Sequence, residues 1–207
     1  MNRNEFLNIE NWYGSYYELA IEYHPKGNNK TLIDAINAIW QLTELTGPWR
    51  EKEMFGEKPQ KIELVDQGTN DLFGLVTFKG VRPIGCCNFT IRESFADGAD
   101  WLCFSVPTSM LELAFDVKYP LFDDENPWLK SIDRFFLKCA KTINDVSPFY
   151  LAIIGEDASG YTTSNEITPE IASRGGFILS EHILNSWDTK VNFETLSENL
   201  LWIPFKA

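Results

Sequence analysis

"IGCCNFTIRESFADGADWLCFSV" (residues 84–106) decides the fold class. Two runs rich in β-branched, aromatic and thiol side chains flank a polar stretch holding Asp97, Gly98 and Asp100. That composition reads as strand, turn, strand. A connection this short joins antiparallel neighbours, because a parallel pair needs a crossover of a dozen or more residues. Upstream, "KIELV" (61–65) and "DLFGLVTF" (71–78) repeat the pattern, separated by "DQGTN" and "KGVRP". The span 61–106 is therefore predicted to be consecutive antiparallel hairpins.

Outside that span, "YYELAIEY" (16–23) alternates. Tyr17, Leu19, Ile21 and Tyr23 take one face and Tyr16, Glu18, Ala20 and Glu22 the other, the pattern of a half-buried strand. Helical spacing of Leu32, Ala35, Ile36 and Ile39 predicts a helix over 31–44, capped by Thr31 with Asp34 three residues on and stopped by Gly47–Pro48. "GPWREKEMFGEKPQ" (47–60) then reads as a polar loop. After the hairpins, "SVPTSMLELAF" (105–115) reads as a strand end, Pro107 and a short helix, and "YPLFDDENPWL" (119–129) as an acidic loop.

The clearest helix is predicted over 126–146, with Asn126 as N-cap and Pro127 at the first helical position. Leu129, Ile132, Phe136, Cys139, Ile143 and Val146 form its apolar stripe; Lys130, Asp133, Arg134, Lys138 and Lys141 lie elsewhere. "FYLAIIG" (149–155) is apolar on both faces, as a central strand is. Of the last residues, "TPEIASR" (168–174) reads as a short helix capped by Thr168. "FILSEHIL" (177–184) reads as a strand carrying His182, "NFETLSENL" (192–200) as helical turns and "LWIPF" (201–205) as a docked apolar tail. The expectation is one α+β domain over 1–207: a mostly antiparallel sheet of five to seven strands with two main helices packed on one face.

With 207 residues, 44% of them hydrophobic and 14% aromatic, the chain can bury a core without staples. Cys86, Cys87, Cys103 and Cys139 contain no C-x-x-C pair, so they read as free core thiols in a reducing compartment. The N-terminal "MNRNEFLNIENW" lacks an apolar signal core, and no run is long enough to span a bilayer, so a cytoplasmic location without membrane contact is expected. The net charge of −12 disfavours nucleic acid, whose phosphates it repels. Residues 93–125 carry eight acids against Lys118 alone, more than half of the chain's imbalance.

Phosphate-cradling glycine motifs, zinc-protease and nucleophile-elbow signatures and calcium-loop spacing are all missing. With His24 and His182 as the two histidines, no multi-histidine metal centre can be built, and no cofactor, metal or catalytic residue is assigned. Two candidates remain. One is a partner-binding surface over residues 93–128, where Asp97, Asp100, Asp116, Asp123, Asp124 and Glu125 are interleaved with aromatics, Trp128 among them. Clustered carboxylates with aromatic anchors suit a basic protein partner, provided that they converge on one outward patch. The other is a carboxylate pocket at Glu156 and Asp157 with His182, for a small-molecule enzyme or ligand binder. "EDASGY" (156–161) has turn chemistry of its own, so the surface reading of that pair is preferred.

Three stretches, "DWLCFSVPTSMLELAF" (100–115), "NPWLKSIDRFF" (126–136) and "PFYLAIIGEDASG" (148–160), together resemble an uncharacterised bacterial protein family over roughly residues 72–182. The shared motifs are structural, and the resemblance implies no activity and no catalytic residue. In charge and size the chain is similar to immunity proteins, which neutralise bacterial toxins. The leading expectation is therefore a non-enzymatic, immunity-type binding protein acting on a basic partner.

Overall fold

The computed structural model describes residues 1–63, 71–188 and 191–205. Nine strands form one sheet: β1 (Tyr16–Tyr23), β2 (Leu45–Trp49), β3 (Leu72–Val76), β4 (Ile84–Arg92), β5 (Asp100–Pro107), β6 (Leu151–Glu156), β7 (Phe177–Ser180), β8 (Glu194–Thr195) and β9 (Leu200–Ile203). Their order is β2-β3-β4-β5-β1-β6-β7-β9-β8 and every neighbouring pair is antiparallel. The α+β class and the hairpin from 84 to 106 stand as read. The strand over 149–155 also stands as an interior strand, next to β1.

Among the described residues nine strands replace the expected five to seven, and six α-helices replace two: α1 (Arg3–Leu7), α2 (Asn29–Trp40), α3 (Thr108–Glu112), α4 (Leu129–Asn144), α5 (Pro169–Ala172) and α6 (Glu181–Leu184). Gly47–Pro48 suggested a loop, yet both residues lie inside β2, an edge strand with a register shift between Thr46 and Trp49. An edge tolerates a proline because that N–H is not needed by a neighbour. Gly47 has φ +128°, and a Cβ there would stand 3.0 Å from the Phe73 carbonyl oxygen, so the bulge requires glycine. "NFETLSENL" supplies β8 and a turn instead of helix, and the tail "LWIPF" supplies most of β9. "FILSEHIL" divides: β7 ends at Ser180, and His182 lies on α6. Of "KIELV", Lys61–Glu63 form no strand, and Leu64 and Val65 lie outside the described residues.

Helices α2 and α4 pack together over one face of the sheet. Tyr17, Leu19 and Ile21 of β1, Leu102 and Phe104 of β5 and Ile154 of β6 meet Ile36, Ile39, Ile132, Phe136 and Ile143 there. Asn28, not Thr31, caps α2 by accepting the Thr31 N–H. Helix α4 starts at Leu129 without a side-chain cap, because Asn126 is engaged in the preceding loop. Asp133 is also displaced from the polar side to which its charge assigned it: it is buried, three residues before Phe136 on the same stripe.

The second face is covered as well, so β1 is buried on both sides and not half-buried. Residues 157–188, with α5 and α6, bury Ala20, Trp101, Cys103, Leu151, Ile153 and Phe177 beneath Ala158, Ile167, Ala172 and Ile183. Glu18 and Glu22, on the expected solvent side, are 1% and 2% exposed. Each acts as an acceptor for the crossing chain. Glu18 takes the Ser159 N–H at 2.8 Å and the Ser105 hydroxyl at 2.8 Å; Glu22 takes the Ser164 N–H at 2.8 Å and pairs with His24 at 2.9 Å. Burial raises the Glu18 pKa, and those hydrogen bonds oppose the shift. All four cysteines are buried, free thiols. No helix among the described residues is long and apolar enough to cross a membrane.

Candidate functional site

The two ends of β1 lie about 20 Å apart along the strand, and they divide the predicted acidic surface. At the Tyr23 end, Asp100 pairs across the strands with Tyr23 and is 1% exposed. Its oxygens accept two bonds from Arg92, at 2.8 and 3.1 Å, and the Gly27 N–H at 2.7 Å. Asp100 is thus a structural anion that ties a hairpin to the loop before α2, and it cannot face a partner. Asp97 is exposed in the adjoining turn.

The remaining acids gather at the Tyr17 end, on the loop between α3 and α4. Asn126, 0% exposed, shapes this loop. Its Oδ1 accepts the Lys118 N–H at 2.9 Å, and its Nδ2 donates to the Lys118 and Phe122 carbonyls at 2.8 and 3.1 Å. A side-chain amide here replaces a strand neighbour and closes the chain on itself, so Asp124 and Glu125 are exposed and Asp123 half-exposed at the tip. Phe122 and Tyr119 stand beside them, 60% and 52% exposed. Trp128 is half-buried at the base, stacked on Phe115 with centroids 4.4 Å apart. Asp116 is exposed nearby. Replacing Asn126 by Ala removes three hydrogen bonds from a buried position; we expect a loss of about 3 kcal/mol in urea unfolding, with faster amide exchange at Lys118.

Behind the loop lies a cleft of about 290 Å3 lined by Tyr17, Leu121, Phe122, Asp123, Asp124, Arg174 and Phe205. Tyr17 stacks on Phe136, centroids 6.0 Å apart, and its hydroxyl donates to Asp133 Oδ1 at 2.7 Å. Burial pushes the Asp133 carboxyl up to about 7; the Tyr17 hydrogen bond opposes this and the Asp123 charge reinforces it. Burial, followed by the Asp133 charge, raises the Tyr17 phenol too. Arg174 donates to the Tyr161 hydroxyl.

Glu156 and Asp157 belong to this same end, opposite Tyr17 and Tyr16. Glu156 accepts the Ser15 hydroxyl. Asp157, with φ +46°, accepts the Tyr16 N–H at 2.9 Å and returns its own N–H to the Tyr16 carbonyl at 2.8 Å. The pair therefore joins β6 to the start of β1. Burial raises the Tyr119 phenol, with Glu112, its hydrogen-bond acceptor at 2.9 Å, and the Glu156 charge adding to the shift. His182 is far away: its ring is 5.9 Å from that of Tyr150, at the other end of β6. These two line a separate cavity of about 320 Å3 with Asn165 and Trp187. The structure thus does not unite Glu156, Asp157 and His182.

Sequence reasoning missed Asp133 and Arg174. Asp133 was open to discovery, since it stands four residues after Leu129 and three before Phe136, on the apolar stripe. Arg174 offered no signal, because its neighbours in the cleft come from distant parts of the chain. Among the described residues no three His, Cys, Asp or Glu side chains are grouped to hold a metal ion. No protein-family model, curated protein or solved structure matches the chain.

Proposed function

We propose that the protein is a non-enzymatic binding protein whose Tyr17 end engages a basic protein partner, in the manner of an immunity protein. One observation carries the reading. Asp123, Asp124 and Glu125 stand on one closed loop beside exposed Phe122 and Tyr119, with Asp116 exposed two residues before that loop, and the ion pairs among the described residues involve none of the four. Unneutralised carboxylates steer a cationic partner and speed encounter, while the exposed rings supply the desolvated contacts that hold it. The surface is narrower than residues 93–128: Asp100 is excluded by burial and Asp97 by its place at the other end.

The alternative, an enzyme or ligand binder built on Glu156 and Asp157, finds less support, since both carboxylates are engaged with the start of β1.

The test is retention of a partner from the native organism on immobilised wild type and on an Asp123→Lys, Asp124→Lys, Glu125→Lys variant. A partner of basic pI should be held by the wild type near 0.05 M salt and released near 0.5 M, where charges are screened within about 5 Å. The variant should bind it at least tenfold more weakly. Equal retention by the two proteins, or a partner indifferent to salt, would refute the reading.

A further inference from the structure

The interior of the cleft has a chemistry distinct from that of its outer lip. Asp123 and Asp124 come from one chain segment and Arg174 from another, and all three line one space of about 290 Å3. Here no ion pair among the described residues joins Arg174 to Asp123 or Asp124. The remainder of the lining is apolar or aromatic: Leu121, Phe122, Phe205 and the ring of Tyr17.

Arg174 is positioned in advance. One guanidinium nitrogen donates to Tyr161, and the group keeps further N–H donors for a planar anion. The turn that follows is locked against the Phe205 wall. A Cβ at Gly175 would lie 2.4 Å from the Phe205 Cα, and one at Gly176 2.6 Å from the Phe205 ring. The floor is fixed by the buried Tyr17–Asp133 hydrogen bond. Charge of both signs thus lines a largely apolar space without an ion pair between them, and one molecule bearing both signs would satisfy both.

We propose that this cleft binds a small zwitterion with an apolar body, an α-amino acid or comparable amino-carboxylate, with its ammonium toward Asp123 and Asp124 and its carboxylate on Arg174. A cleft of about 290 Å3 is of the order that admits a small molecule the size of leucine or phenylalanine. An amine alone would leave the guanidinium unanswered, and an acid alone would meet two carboxylates. The inference is separate from the basic-partner reading, although Asp123 and Asp124 serve both.

Calorimetric titration of the full chain with L-phenylalanine, phenethylamine and 3-phenylpropanoate separates the possibilities, with L-leucine as a second amino acid. The amino acids should bind, and each singly charged analogue should bind at least tenfold more weakly. Arg174→Met, at an exposed position, should reduce phenylalanine to the level of phenethylamine while leaving retention of a basic partner unchanged. Lack of heat from both amino acids up to about 10 mM, a dissociation constant worth only about 3 kcal/mol, would overturn the proposal. Equal binding of phenethylamine and phenylalanine would overturn it too, marking a site for a lone cation that the basic-partner reading could still use.

Discussion

Asp133→Asn is expected to make the protein more stable than wild type at pH 8 and to leave it nearly unchanged at pH 4. The buried carboxyl titrates at about 7, against an ordinary value of 3.8. A raised pKa means that the folded state holds its proton more tightly than the unfolded chain does. The resulting stability is complete below about pH 4 and is lost as pH rises through 7. At about 1.4 kcal/mol per unit, the loss amounts to about 4 kcal/mol at most. Asparagine is neutral throughout and still offers an oxygen to the Tyr17 hydroxyl. Glu18 and Asp71 are shifted in the same direction, but they act in both proteins and cancel in the difference. Urea unfolding from pH 4 to 8 provides the measurement. A difference between the two proteins that does not vary with pH would contradict the assignment.

Glu18→Ala should be strongly damaging to the second face. It strips the acceptor from the Ser105 hydroxyl and the Ser159 N–H, both held at 2.8 Å, and leaves a gap beneath the crossing segment. Unsatisfied buried donors and lost packing together predict about 3–5 kcal/mol. Glu18→Gln should fall between, since an amide can serve one of the donors while its NH2 faces the other. Hydrogen exchange would locate the injury: amides from Ala158 to Ser164 should lose protection first. A cost of Glu18→Ala below about 1 kcal/mol would mean that solvent or a neighbour replaces the carboxylate.

The hairpin at 84–106, the interior strand at 149–155 and the body of α4 were legible because periodicity is local. What escaped was set by distant chain. Glu18 and Glu22 alternate with apolar residues as solvent-facing acids do, and their partners Ser159 and Ser164 lie more than 140 residues away. The same holds for the acids of the middle third. Asp100 and Asp124 look alike in the sequence, yet one is closed by Arg92 and Gly27 while the other is displayed by Asn126. Asn126 itself carries a cap signature that its loop bonds override. Glu156 and Asp157 belong with these: turn chemistry gave them a local reason to follow the strand, but their partners Ser15 and Tyr16 lie 141 residues away.

The margins of the sheet have a consequence for how the molecule behaves in a crowd. An open ribbon of nine strands would ordinarily recruit further chains along its free rims and grow into fibres. Here one rim is β2, where Pro48 has no N–H to offer and its carbonyl already accepts the Gln60 N–H at 2.9 Å. The other is β8, two exposed residues long and headed by Glu194. Among the described residues neither rim offers a long, regular edge, which disfavours the addition of a tenth strand.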